Sequence, residues 1–267
     1  MLHSDIIPPA LTWQWIRLSL AAFVAGVLNA VAGGGSFLSF PAMYGMGILP
    51  IQANATNTVA LWPGQLTSIA GYRDDVRRNL AVVWPMGIVG LAGGTAGALI
   101  LLHTPQRTFL HLVPWLLLLA AGIFALSGPI NRSIQRRRGA VTHEGRRHPH
   151  LVPLLIGALA VCFYIGYFGA GAGFLLISLM GIFGFDDLHQ INAIKVVTTT
   201  LANGVAFLLF VLDGQVVWRY CLVGMVVCGI GGYASATLAR RIPQIVLRWA
   251  VVVIGLSMAA WFFWKNG

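Results

Sequence analysis

Along the chain, long apolar runs alternate with short polar loops. Runs of spanning length occupy 11–32, 54–72, 80–102, 108–128, 151–168, 190–211, 217–239 and 245–264. A helix needs about 20 apolar residues to cross a bilayer, so the pattern predicts an all-α polytopic membrane protein. A β-barrel would show alternating segments of about ten residues, whereas these runs are continuous. Two shorter apolar pieces, 36–49 and 173–185, each follow a glycine-rich stretch, AGGGSF at 32–37 and GAGAGF at 169–174. At ~1.5 Å per residue each piece reaches only about 20 Å, short of the ~30 Å hydrocarbon core. They are expected to be half-helices or short tilted crossings. Each interior glycine costs a helix roughly 1 kcal/mol relative to alanine, so Gly33, Gly34 and Gly35 in succession predict a break there.

The elements recur. Residues 26–128 align with 163–264: Phe37-Leu38 matches Phe174-Leu175, 137 positions on, and Asn54-Ala55 matches Asn192-Ala193, 138 positions on. Gly93-Gly94 then matches Gly231-Gly232, and Pro105-Gln106 matches Pro243-Gln244. The chain therefore divides into a first repeat (1–128), a basic linker (129–150) and a second repeat (151–267). Each repeat holds about five helical elements: a long span, a glycine break with its short helix, and three further spans.

Charge orients the repeats. The linker PINRSIQRRRGAVTHEGRRHPH holds six arginines, and cytoplasmic loops carry the excess of Lys and Arg. An odd number of crossings per repeat keeps Arg73, Arg77 and Arg78 inside together with Arg240, Arg241 and Arg248. An even number would put the second group outside. The odd count predicts two inverted repeats with both termini extracytoplasmic, in a multi-pass protein of a bacterial inner membrane. The formal net charge of +10 is accounted for by these topogenic loops, and no nucleic-acid partner is implied. The linker's basic run can also be read as lipid-binding. The stretch from Arg17 to Ala32 resembles a signal peptide, but its glycine break recurs in mid-chain, so an uncleaved span is expected.

Composition removes several chemistries. Hydrophobic residues make up 58% of the chain and charged ones 9%, against about 25% charged in soluble domains. Cys162, Cys221 and Cys228 all fall in spans without CxxC spacing, so they read as core residues, and neither disulfide, zinc site nor cofactor is implied. All seven acidic residues fall at loops or termini. With no carboxylate in mid-span, cation transport is disfavoured and an anionic substrate is favoured. Trp13, Trp15, Trp261 and Trp264 suit membrane-interface belts, and the sequence leaves a homo-oligomer open.

Inverted repeats with broken helices place transporter sites near the midplane, where half-helix N-termini face the substrate. Non-helical backbone at that depth must be buried in protein or line a cavity. The candidates for anion contact are accordingly Gly33, Gly34, Gly35 and Ser36 at the first break and Gly169, Gly171 and Gly173 at the second. Exposed first-turn N–H groups and the helix dipole favour an anion there. A second polar cluster opens the next span of each repeat. NATNT supplies Asn54, Thr56, Asn57 and Thr58, and NAIKVVTTT supplies Asn192, Lys195, Thr198, Thr199 and Thr200. An ionisable group inside a span is a functional candidate, though Lys195 could also snorkel to the interface. Gln65 and Asn203 occupy matching positions deeper in these spans, where their amides either meet an oxyanion or join the helices. Gly90-x-x-x-Gly94, Gly93-x-x-x-Gly97 and Gly231-x-x-x-Ser235 read as helix-packing stripes.

AGGGSFLSFPAMYGMGI with NATNTVA, and GAGAGFLLISLMGIFG with INAIKVV, resemble the TauE/SafE family of sulfite and organosulfonate transporters. The resemblance spans roughly 20–128 and 151–264. It implies movement of a small sulfur oxyanion such as sulfite, a sulfonate or sulfoacetate across the inner membrane. One departure from two-fold symmetry stands out: Asn57 occupies the position of Lys195. The expectation is thus a secondary transporter working by alternating access. The alternatives are an intramembrane enzyme, for which no GxSG nucleophile or mid-span histidine is present, and a structural membrane protein.

Overall fold

In the computed structural model, which describes residues 9–32, 34–138, 151–185, 187–238 and 244–266, the chain is all helical. The helices are α1 (Pro9–Ala32), α2 (Ser36–Tyr44), α3 (Pro50–Gly71), α4 (Arg73–Arg78), α5 (Leu80–His103), α6 (Gln106–Arg138), α7 (Leu151–Tyr167), α8 (Ala172–Ile182), α9 (Leu188–Leu212), α10 (Trp218–Leu238) and α11 (Gln244–Asn266). Every long apolar run folds as a helix. Among the described residues, α5, α9 and the first 18 residues of α6 are long and apolar enough by themselves to cross a membrane. Helix α3 has span length at 22 residues, but its polar cluster lowers its hydropathy.

Three details differ from the sequence expectation. The short helices are shorter still, with 9 residues in α2 and 11 in α8. Glycines in the left-handed region stop them: Gly47 lies at φ +84° and Gly184 at φ +105°. Such backbone suits glycine, which has no Cβ to collide with the carbonyl. Helix α6 runs on through 129–138, the first part of the basic linker, while 139–150 lie outside the described residues. The loop after α3 is itself a short helix, α4, tied to the start of α9. Asp75 pairs with His189 at 3.9 Å, and Gln190 Nε2 donates to Asn79 Oδ1 at 2.7 Å.

Packing interleaves the two halves of the chain. Helix α5 packs on α7 and α9, α1 and α3 pack on α10, and α6 packs on α11. Side-chain positions give the directions. On α1 and α10, Trp15 meets Tyr220 at 5.1 Å between ring centroids, and Ala22 O accepts from Cys228 Sγ at 3.0 Å. These helices therefore run parallel. On α5 and α7, Gly93 lies against Leu159 and Cys162, while Gly97 lies against Phe163 and Tyr167, which is again parallel. Helices α3 and α9 run antiparallel: Val217 N, just past α9, donates to Thr56 Oγ1, Asn203 bonds Gln65, and His189 meets Asp75. Helices α6 and α11 are antiparallel too, since Trp115 meets Phe263 and Ala121 meets Gly255.

The interior is aromatic where the short helices sit. Phe40 of α2 packs edge-on against Phe168 and Phe109 and stacks on Phe262 with centroids 5.9 Å apart. Glycine decides how closely the helices approach. A methyl group on Gly97 would lie 2.7 Å from Tyr167 N and closer still to Phe163 O. Gly97→Ala must therefore push α5 off α7, and overpacking of this kind costs about 1–3 kcal/mol. Gly122→Ala, whose methyl meets nothing within 4 Å, serves as control. Thermal unfolding in detergent should show a lowered midpoint for the first substitution and none for the second.

Candidate functional site

Both glycine breaks reach one cavity of about 580 Å³ enclosed by α1, α2, α3, α8, α9 and α10. Ser36, the first residue of α2, and Gly173, its counterpart in the second half, both line it, as does Gly169. Phe37 N and Leu38 N donate to Gly34 O and Gly35 O, and Ala172 N and Phe174 N to Gly169 O and Gly171 O, so the two N-termini face the same space mainly with their positive dipole ends. The left-handed backbone at Gly169 (φ +76°) and Gly171 (φ +72°) turns the chain from α7 into α8.

The remaining glycines of the breaks serve packing. Gly34 and Gly35 are buried, and a methyl group on Gly35 would meet the backbone of Ala25 and lie 2.9 Å from Asn29 Cβ. Gly171 is buried under Phe37, whose ring would sit 3.0 Å from an added methyl. These three are therefore off the cavity wall, because the folding-back of α2 along α1 and the seating of Phe37 consume the space the glycines free. Gly33 lies outside the described residues.

The polar clusters divide in the same way. Asn54 is buried and donates to Tyr167 O at 3.2 Å, which ties α3 to the end of α7. Asn57 is buried and accepts from Ser39 of α2. Neither lines the cavity. In the second half the equivalent pins are missing, since Leu176 stands where Ser39 stands in the first. Lys195 is thus left on the cavity wall, where Nζ donates to Asn192 Oδ1 at 2.8 Å. Asn192 holds Leu188 O through Nδ2 at 2.8 Å and positions the lysine from behind.

Gln65 and Asn203 both line the cavity and bond each other, Asn203 Nδ2 donating to Gln65 Oε1 at 3.1 Å. They join the two central helices and present their remaining polar atoms to the cavity. Trp62 Nε1 donates to Thr200 O at 3.0 Å beside them. Asn29, Thr58, Tyr72 and Thr199 also line the cavity. Thr58 and Thr199 belong to the Asn/Thr clusters expected from the sequence to meet the anion, whereas nothing in the pattern marks Asn29 or Tyr72, which are brought in by the folding of α1 and α3. Among the described residues Lys195 is the one charged side chain on the wall.

The cavity exists because two equivalent seams are packed differently. On α5 and α9, a methyl on Gly90 would lie 2.9 Å from Thr198 O, and one on Gly94 would lie 2.5 Å from Ala202 O, so this seam is shut. The counterparts 138 positions away are Cys228 and Gly232 on α10 and Ala60 and Gly64 on α3. All four line the cavity. Gly64 has nothing within 4 Å of its methyl position, and Ala60 Cβ sits 3.3 Å from that of Gly224, one helical turn before Cys228. The second seam is therefore parted and displaced by about one turn.

Removing a pinned side chain should cost stability, and removing a wall hydroxyl should not. Asn57→Ala removes the buried bond between α2 and α3 and leaves the Ser39 hydroxyl only Gly35 O as acceptor, a loss of about 0.5–1.5 kcal/mol. Ser68→Ala, on the cavity wall, is expected to stay within about 0.5 kcal/mol, both read by thermal unfolding.

Comparison with known proteins places the chain. A family model described as sulfite exporter TauE/SafE matches residues 18–262. The probable membrane transporter protein ORF9 of Sinorhizobium sp is 28% identical over 247 residues, covering 91% of this chain and 89% of its own length. A probable membrane transporter protein of Haemophilus influenzae is 27% identical over 251 residues, with 94% of each chain covered. The probable membrane transporter protein YfcA of Escherichia coli K12 is 26% identical over 251 residues, covering 91% of this chain and 87% of its own. No solved structure gives a significant match.

Proposed function

The chain belongs to the sulfite exporter TauE/SafE family, a family of membrane transport proteins and not of enzymes, and from that premise we propose that it moves a small sulfur-containing oxyanion across the bacterial inner membrane. The observation that carries the anion reading is the convergence of two helix N-termini, at Ser36 and Gly173, on a cavity whose one charged wall residue among those described is Lys195. Helix N-termini favour anions through their positive dipole end. Gln65 Nε2 adds a neutral donor to this wall, while the Thr58 and Thr199 hydroxyls and the Asn203 amide donate to Asn54 O, Lys195 O and Thr199 O.

In this reading the repeats are inverted. The helix directions support it: α1 runs parallel to α10 and α5 to α7, while α3 is antiparallel to α9. If α9 and α10 run in opposite senses through their short loop, α1 and α7 are opposed, as are α3 and α9, and α5 and α10. The arginine-bearing loops after α3 and α10 then share the cytoplasmic side, as the charge rule requires. The cavity, which ends at Ser68, Tyr72 and the exposed Tyr233, opens to that side.

Transport by alternating access follows from exchanging the two seams. In the opposite state α3 and α10 adopt the register that α9 and α5 hold here, with Ala60 on Cys228 and Gly64 on Gly232. Helices α5 and α9 part in turn. What makes the exchange sterically feasible is the small-residue complement. Cysteine opposite alanine replaces glycine opposite threonine, and glycine opposite glycine replaces glycine opposite alanine.

Uptake into proteoliposomes tests the substrate. Radiolabelled sulfite and sulfonates should enter under an imposed gradient, and Ser36→Leu or Gly173→Leu should reduce flux at least about tenfold at unchanged membrane content. Normal flux in both variants would remove the helix N-termini from the site. Cross-linking tests the exchange. With Cys162 and Cys221 replaced by serine, Ala60→Cys should form a disulfide with the native Cys228 on mild oxidation and halt transport until reduced. A disulfide needs Cα atoms within roughly 7 Å of each other in suitable orientation. If Ala60→Cys never joins Cys228 while it does join a cysteine at Gly224, the seam does not shift.

A further inference from the structure

The cavity's charge count carries a conclusion about what it accepts, and this rests on the anion-transport reading. The described wall contributes one positive group, the Lys195 ammonium, and no carboxylate. Every other polar lining side chain is neutral: Asn29, Ser36, Thr58, Gln65, Asn203 and the remaining hydroxyls. Among the described residues no carboxylate neutralises the ammonium either. Its described partner is the amide oxygen of Asn192, an uncharged acceptor, and the acidic pairs at Asp74 and Asp75 lie on α4 with Arg73, Arg78 and His189. Two-fold symmetry does not double the charge, because Asn57 stands at the equivalent position and is buried against Ser39.

We infer that the site selects organic oxyanions bearing a single negative charge and no amine, with Lys195 as the one full counter-charge that sets the preference. A monoanion pairs with the ammonium and leaves the loaded site neutral. A dianion leaves its second charge to the two helix N-termini and to neutral dipoles, whose partial charges compensate a charge taken from water less fully than a second ammonium would. A sulfonate carrying an ammonium group meets the converse difficulty. It brings a second cation to a wall that offers no carboxylate, beside a lysine that repels it. Size points to an organic anion. The volume of about 580 Å³ falls within the range of about 300–1,000 Å³ that accommodates organic ligands. Leu61, Phe168 and Met225 give an apolar stretch of wall for the carbon portion.

The test uses the full chain in proteoliposomes at neutral pH with three radiolabelled probes. These are 2-hydroxyethanesulfonate (one negative charge), sulfoacetate (two) and 2-aminoethanesulfonate (a zwitterion). The hydroxy compound should enter at least about tenfold faster than either of the others at equal concentration. Lys195→Arg, which keeps the charge, should preserve the ranking, and Lys195→Gln should compress it to below about threefold. If Lys195→Gln abolishes uptake, the ranking is read instead from the shift in unfolding temperature that each probe produces in detergent. Equal uptake of sulfoacetate or 2-aminoethanesulfonate by the wild-type protein overturns the inference, as does an unchanged ranking in Lys195→Gln. Absence of uptake for all three probes and for sulfite overturns the transport reading, and this inference with it. Uptake of sulfite or of any sulfonate without the ranking overturns the inference alone.

Discussion

Along α5, Gly90 and Gly94 let α9 touch the helix backbone, while Gly93 and Gly97 let α7 do the same on an adjoining face. Lipid tails are as apolar as the side chains, so no hydrophobic driving force brings helices together inside a bilayer. Dispersion contacts and close backbone approach must do it. Shutting the α5–α9 seam holds one side of the molecule closed and positions α7. The end of α7 receives Asn54 of α3 and leads through Gly169 and Gly171 into α8. The site is thus assembled from the shut seam outward.

The equivalent seam shows what happens without that grip. Cys228 takes the place of Gly90, and the α3–α10 contact moves to Gly224, one turn away. Gly64 and Gly232 are left on opposite walls of a cavity. Small residues here serve two functions that look identical in a linear sequence. On α5 they are filled by a neighbouring backbone, and on α3 and α10 they border open space. In the proposed alternating-access cycle this one set of residues serves both packings, and the seam itself is the hinge.

Near-symmetry of backbone coexists with asymmetry of chemistry. Ser39 and Asn57 lock the first half, and phenylalanine, tyrosine and tryptophan rings pack around α2. Leu176 and Lys195 leave the second half unlocked and charged. A protein assembled from two copies of one plan can in this way devote one copy to rigidity and the other to recognition.

From sequence alone, the apolar runs determined that the chain is a bundle of membrane-length helices. The glycine breaks showed where two of them would be cut short, and the spacing of Asn54 and Asn192 showed that the plan occurs twice. These features are local or periodic, and backbone hydrogen bonding in an apolar solvent leaves them little freedom. The packing stripe on α5 and the importance of Ser36, Gly173 and Lys195 to the cavity were legible for the same reason. The allocation of roles within each cluster was not. Gly35 and Gly171 have the composition of a ligand cradle, yet Ala25 and Phe37 occupy their space, and Asn57 has the polarity of a ligand group, yet Ser39 holds it. Asn29 and Tyr72 carry no signal at all until α1 and α3 fold around the cavity. Only the tertiary structure decides such cases, because whether a small or polar residue faces a ligand or a neighbour depends on side chains far away in the chain.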